Sequence, residues 1–69
     1  MSNIPPHQLR VLEELAQVSD RLKKLNAFID GRSETFDRLP AAEQSRLREQ
    51  ATYMADYEGV LIRRVIAFS

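Results

Sequence analysis

The chain has 69 residues, in which ten Lys and Arg balance ten Asp and Glu. A chain of this length buries only about 60% of its unfolded surface, so a stable fold usually needs disulfides, a metal or self-association. There is no cysteine and only one histidine, which excludes disulfides and argues against a zinc site. Self-association is therefore the expected way to complete the core.

The zero net charge argues against a chain that holds nucleic acid mainly through the phosphates. No stretch approaches the roughly 20 apolar residues of a membrane span, and the start MSNIPPHQLR lacks the basic and apolar regions of a signal peptide. We expect a cytoplasmic protein with no membrane contact and no cofactor, for which nucleic acid is a disfavoured partner.

The first predicted element is a helix over about residues 7–30, directly after Pro5-Pro6. Its apolar residues alternate at spacings of four and three, which is a heptad seam. The seam consists of Val11, Leu15, Val18, Leu22, Leu25 and Ile29. Asp30-Gly31 ends the helix, and we expect Gly31 in the left-handed position that follows many helices.

A connector over residues 31–39 leads to a second predicted helix over about residues 40–68, with Pro40 in its first turn. Phe36 and Leu39 are expected to fold back onto the helix ends. The apolar face of the second helix consists of Leu47, Ala51, Met54, Leu61, Val65 and Phe68.

The second seam has a defect at Glu58, where the heptad calls for an apolar residue. We expect Tyr57 to cover this position. Gly59 follows within the helix and costs about 0.5–1 kcal/mol relative to alanine. A cavity opened by Gly59 and lined by Tyr57 is one hypothesis for this defect.

These elements predict an all-α fold in which residues 1–69 form a single helical hairpin domain of two antiparallel helices. Several apolar residues remain off the shared seam: Leu12, Phe28, Phe36, Tyr53, Val60, Ile62 and Ile66. A second apolar stripe needs a second partner, most simply another copy of the chain. We therefore expect a homo-oligomer, either a four-helix dimer or a larger closed ring.

Catalysis is not indicated by the sequence, and we expect a protein that is not an enzyme. The carboxylates fall mainly on the solvated helix faces. The serines lack a neighbouring histidine base, and the only two glycines cannot form a phosphate-binding loop. His7, at the start of the first helix, is interpreted as a surface residue.

Small anionic ligands fit the residue types better than other substrates do. Gln50, Tyr53, Tyr57 and Arg64 lie on one helical stripe and supply an amide, two stacking rings and a cation. Lys24 is a further candidate for contact with a phosphate. Residue types alone favour the alternative that both tyrosines pack in the bundle with their hydroxyls at its edge.

Three stretches carry a family resemblance: RLKKLNAFI, then Phe36 with Leu39, then EQSRLREQATYMADYEGVLIRR. The chain resembles a group of small phage-encoded helical proteins named after a crAss-like phage product. The matching positions are Leu22, Lys24, Leu25, Phe28, Ile29, Phe36, Leu39, Glu43, Gln44, Leu47, Gln50, Met54, Tyr57, Leu61 and Arg63 or Arg64. The Glu58-Gly59 pair departs from the more regular pattern of that group.

The resemblance implies a phage origin and a helical hairpin. The architecture is also similar to that of phage sponge proteins, small helical oligomers that sequester the cyclic nucleotide signals of CBASS or Thoeris defence. The first hypothesis is therefore sequestration of a cyclic nucleotide by Gln50, Tyr53, Tyr57, Arg64 and Lys24. The alternatives are a module that inhibits or scaffolds a host or phage protein, and a nucleic-acid accessory protein.

Overall fold

The computed structural model describes residues 3–31 and 33–68, which form three helices and no strand. Helix α1 spans Pro6–Asp30, the single-turn helix α2 spans Glu34–Asp37, and helix α3 spans Ala41–Ile66. Helices α1 and α3 pack against each other. They run antiparallel, because Val11 near the start of α1 shares a cluster with Val65 in the last turn of α3 and with Phe68 just after it. The hairpin measures 50 × 19 × 14 Å.

The helix ends differ in detail from the sequence prediction. Pro40 precedes α3 as its N-cap and lies outside its first turn, and α3 ends at Ile66. The expectation of a left-handed Gly31 is wrong, because its φ of −79° is an ordinary right-handed value. The amide of Gly31 instead donates to the carbonyl of Ala27 at 2.9 Å, so the helical bonding pattern simply continues into the cap.

The core lies along the heptad seams that the sequence predicts. Val11, Val18 and Leu22 of α1 are buried, and Leu61 of α3 is only 1% exposed. The remaining seam residues are partly buried: Leu15, Leu25, Ile29, Leu47, Ala51, Met54, Val65 and Phe68. The seam is confirmed, but it is thin, because along most of its length each long helix described here packs only on the other.

The connector folds back over the hairpin, as expected, although it contains the helix α2. Phe36 lies outside the heptad seam, as predicted, and is only 2% exposed because it packs on the helix ends. Its ring meets Phe28 edge to face at 5.6 Å and lies 5.1 Å from the Arg48 guanidinium carbon. The Gln44 amide nitrogen lies within hydrogen-bond distance of three connector carbonyls, at 3.0–3.3 Å, and shares its two hydrogens among those of Phe36, Asp37 and Leu39. These contacts close this end of the hairpin.

The seam defect at Glu58 is resolved by a polar pair. Ser19 of α1 donates a 2.5 Å hydrogen bond to the Glu58 carboxylate, and both residues are partly buried. The expectation that Tyr57 covers this position is wrong, because Tyr57 is 44% exposed. A carboxylate with a hydroxyl donor can remain half-buried between two helices, since its charge is hydrogen-bonded and still reached by water.

Large apolar side chains remain exposed along α3, among them Tyr53, Val60 and Ile62. This is the surface for which the sequence predicts a further partner, and the assembly stays a prediction. Across residues 3–31 and 33–68, none of the helices combines the length and apolar character needed to span a membrane.

Candidate functional site

Two open grooves lie on the flank of the hairpin that carries Tyr57. The first, which we call the basic groove, has a volume of about 290 Å³ and lies between the start of α1 and the end of α3. It is lined by His7, Arg10, Val11, Glu14, Tyr57, Leu61 and Arg64. The second, which we call the aromatic groove, has a volume of about 430 Å³ and lies along α3. It is lined by Arg46, Glu49, Gln50, Tyr53, Met54 and Tyr57.

The basic groove gathers cations from two helices because the hairpin is antiparallel. Arg10 is in the second turn of α1 and Arg64 is in the last turn of α3. Neither guanidinium forms an ion pair with the described residues, whereas Arg46 is paired with Glu43 at 2.8 Å. Val11 and Leu61 form the apolar floor. An exposed pair of unpaired arginines over an apolar floor suits an anionic group, because guanidinium is weakly hydrated and binds phosphate through paired donors.

Tyr57 connects the two grooves and is held by α1. Its hydroxyl donates a 3.0 Å hydrogen bond to the carboxylate of Glu14. This bond raises the pKa of Tyr57 above its ordinary value, and partial desolvation and the Glu14 charge act in the same direction. Arg64 has a smaller opposing effect on that pKa. The phenol therefore stays neutral at physiological pH, with its ring fixed at the boundary between the grooves.

The aromatic groove offers an exposed ring and an amide. Tyr53 is 64% exposed, so a face of its ring is open to a stacking partner. One turn earlier on the same stripe, the amide nitrogen of Gln50 lies 3.8 Å from the sulfur of Met54, a weak contact. The amide is thus still able to bind a polar edge.

The structure divides the predicted ligand set. Gln50, Tyr53 and Tyr57 line the aromatic groove, and Tyr57 and Arg64 line the basic groove. Lys24 lines neither groove and forms a 3.0 Å ion pair with Asp20 on the exposed face of α1. Gln50 and Arg64 are fourteen positions apart on one helix, a distance of about 21 Å at 1.5 Å per residue. One small ligand cannot contact both of them within a single chain.

Two groove residues on α1, His7 and Glu14, were missed by the sequence reasoning, whereas the position of Arg10 follows from the antiparallel pairing that the sequence predicts. His7 was interpreted as a surface residue and Glu14 as a solvated carboxylate. The antiparallel packing predicted from the sequence places Arg10 near the arginines at the end of the second helix. That packing alone does not identify Glu14 as the partner of Tyr57, because this contact depends on how the two helices are rotated about their axes.

Tyr57 lines both grooves and Gly59 lines neither, so the hypothesis of a cavity opened by Gly59 finds no support in these two sites. A Cβ on Gly59 would meet only the end of the Arg63 side chain, at 3.5 Å. Within residues 3–31 and 33–68, no group of three or more acidic or histidine side chains is placed to hold a metal ion.

Comparison with known proteins gives one match. The family model described as Sequestin matches residues 5–67, which covers both long helices and every residue of the two grooves. No curated protein and no solved structure matches the chain.

Proposed function

We propose, from the premise that the chain belongs to the Sequestin family, that it binds and sequesters a small cyclic nucleotide immune signal. The family name suggests sequestration, which is a binding role. We propose further that the protein is a phage counter-defence factor, that it acts without catalysis in the cytoplasm of the host cell, and that it does so as a homo-oligomer.

The observation that carries this proposal is the position of Tyr57 between a basic groove and an aromatic groove. A nucleotide combines a flat base with charged phosphates, so its binding site needs a stacking ring beside a cation. In the proposed complex Tyr53 or Tyr57 stacks on the base and Gln50 contacts the base edge. An Arg64 from another subunit of the homo-oligomer contacts a phosphate, because Gln50 and Arg64 of one chain lie too far apart. Lys24, which lines neither groove, is left out of this complex.

Isothermal titration calorimetry against a panel of cyclic oligonucleotides and cyclic ADP-ribose isomers tests the proposal. We expect saturable binding of at least one member of the panel. Tyr53→Ala should weaken that binding by about 1–3 kcal/mol, because one base–aromatic stack is lost. Arg64→Ala should weaken it to a similar degree, and the effect should shrink as salt is added.

Arg38→Ala is the matched control, because it removes an exposed arginine at the opposite end of the hairpin, where Arg38 pairs only with Glu34. Arg38→Ala should bind the same cyclic nucleotide with the affinity of the wild type. Absence of heat with every member of the panel, in a protein whose circular dichroism is helical, would remove the proposal.

A second candidate is a module that blocks or scaffolds a host or phage protein. It is favoured by the exposed Val60 and Ile62, which are 42% and 43% exposed on α3 and suit a helix-in-groove contact. Affinity capture from phage-infected cells separates the two functions. A stoichiometric protein partner that is lost in Ile62→Asp would favour this candidate over nucleotide sequestration.

A further inference from the structure

The exposed flank of α3 carries a second heptad seam in addition to the one that packs on α1. Its positions alternate at spacings of four and three: Arg46, Gln50, Tyr53, Tyr57, Val60 and Arg64. Every one of these residues is exposed. A four–three alternation is the pattern that packs against another helix, and α1 is already used on the buried side of α3. Within the described chain nothing covers this seam.

We propose that a second copy of the chain packs its α3 antiparallel on this seam, so that the partner subunit's Arg64 completes the aromatic groove. The identity of the ligand in this inference rests on the proposed function, whereas the dimer itself does not. Among residues 3–31 and 33–68, five apolar residues are buried, which is a small core for a chain of this length, and self-association is a common remedy. Two hairpins joined in this way form a four-helix bundle.

The charges beside the exposed seam favour a second copy of the chain as the partner, and they favour one register of the two α3 helices. Asp56 and Arg63 flank the exposed seam seven positions apart, and neither forms an ion pair with the described residues. In an antiparallel pair with Tyr57 against the partner's Val60, Asp56 lies opposite the partner's Arg63. The two-fold axis repeats the pair, so one register neutralises four charges.

The adjacent register, shifted by one heptad, is less favourable. It would bring Tyr53 against the partner's Tyr57 and Glu49 toward the partner's Arg63. It would also bring Asp56 against the partner's Asp56 and Arg46 against the partner's Arg64. These two contacts between like charges oppose association, so the first register is preferred.

This register brings together predicted ligand residues that lie too far apart within a single chain. The partner subunit's Arg64 lies over Tyr53, at the end of the helical overlap, and Gln50 is one turn beyond it. A base stacked on Tyr53 would have its phosphate within reach of that guanidinium. The partner's α3 ends near this level, which leaves the ligand an open entrance. The dimer then holds two equivalent sites, each with the ring from one subunit and the cation from the other.

Sedimentation equilibrium tests the assembly without any ligand. The wild type should be a dimer, and Asp56→Arg or Arg63→Asp should each weaken it by roughly tenfold or more, because two contacts become repulsive. The double variant carrying both reversals should regain most of the dimer affinity. Glu49→Arg is the control, since Glu49 faces beyond the end of the partner's α3 in this register. A monomeric wild type, or dissociation by Glu49→Arg with no effect of Asp56→Arg, would overturn the proposal.

Mixing two variants with weakened binding tests the shared site, at a ligand concentration that saturates only intact sites. Tyr53→Ala and Arg64→Ala each spoil both sites of their own dimers, but a mixed dimer keeps one site with both residues intact. An equal mixture, equilibrated through the monomer, should recover about one quarter of the wild-type binding capacity, because half of the random pairs are mixed. No recovery, with mixed dimers present, would show that each site lies within one chain. Failure of the wild type to bind any nucleotide would instead remove the proposed function.

Discussion

Tyr57 is the residue on which the account of the site depends most directly. Its ring is a wall of both grooves, and its hydroxyl is bonded to Glu14 of the other long helix. The bond tethers the ring to α1, and such a tether reduces the ordering cost of binding. It also gives the residue a titration signature that can be measured.

We predict that Tyr57 ionises above the ordinary pKa of a tyrosine, because its neutral form donates to Glu14. The hydrogen bond is fully present below the ordinary pKa and is lost as pH rises through the raised one. Ultraviolet titration in a Tyr53→Phe background observes Tyr57 alone, since the chain has two tyrosines. Glu14→Ala should lower the midpoint toward the ordinary value, and Glu13→Ala should leave it unchanged. An identical midpoint in all three proteins would show that the bond does not form in solution.

Glu58 shows why residue patterns alone did not define the seam. The heptad marks Glu58 as a defect, but it does not reveal that Ser19 of α1 lies opposite as a donor at 2.5 Å. That pairing depends on the axial offset and rotation of two helices. The same limit applies to Tyr57, whose partner Glu14 is 43 positions away in the sequence.

At the scale of the elements, periodicity predicted most of the fold. The two long helices, their antiparallel packing and the seam from Val11 to Leu61 follow from apolar spacing. The single-turn helix α2 was not predicted, because four residues are too few to show a period. The position of Gly31 was predicted wrongly, since a glycine after a helix permits the left-handed conformation without requiring it.

Gly59 should be replaceable within α3. It lies in the interior of the helix, and a Cβ there would touch only the flexible end of Arg63 at 3.5 Å. We expect Gly59→Ala to raise the free energy of unfolding by about 0.5–1 kcal/mol, because alanine loses less backbone entropy on folding. Urea denaturation followed by circular dichroism measures this change. A decrease in stability would mean that the position needs glycine for a contact that the single hairpin does not contain.

Gln44 should hold the connector on the hairpin. Its amide nitrogen lies within hydrogen-bond distance of the carbonyls of Phe36 and Leu39, at 3.1 and 3.0 Å. Gln44→Ala should lower the free energy of unfolding by about 1 kcal/mol, because these carbonyls lose a partner. The exposed Gln17 of α1 provides the control, and Gln17→Ala should change the urea midpoint little. Equal midpoints for both variants would show that water replaces the Gln44 amide without loss.

Several residues of the sequence resemblance are explained by the fold of the whole molecule. Phe28, Phe36 and Gln44 close the connector end, and Leu22 and Leu61 form part of the core. These positions keep the hairpin folded whatever it binds. The surface left for binding is the flank around Tyr57, which joins a basic groove to an aromatic one.

Nucleotide binding on this flank can be observed residue by residue. The most direct test is the change in backbone amide chemical shifts when the best ligand of the calorimetric panel is added to isotopically labelled protein. We expect the largest changes at Tyr53, Tyr57 and Arg64, with little change at Lys24 and Arg38. Changes centred instead on Ile62 and the opposite flank, or no changes at saturating ligand, would contradict the account.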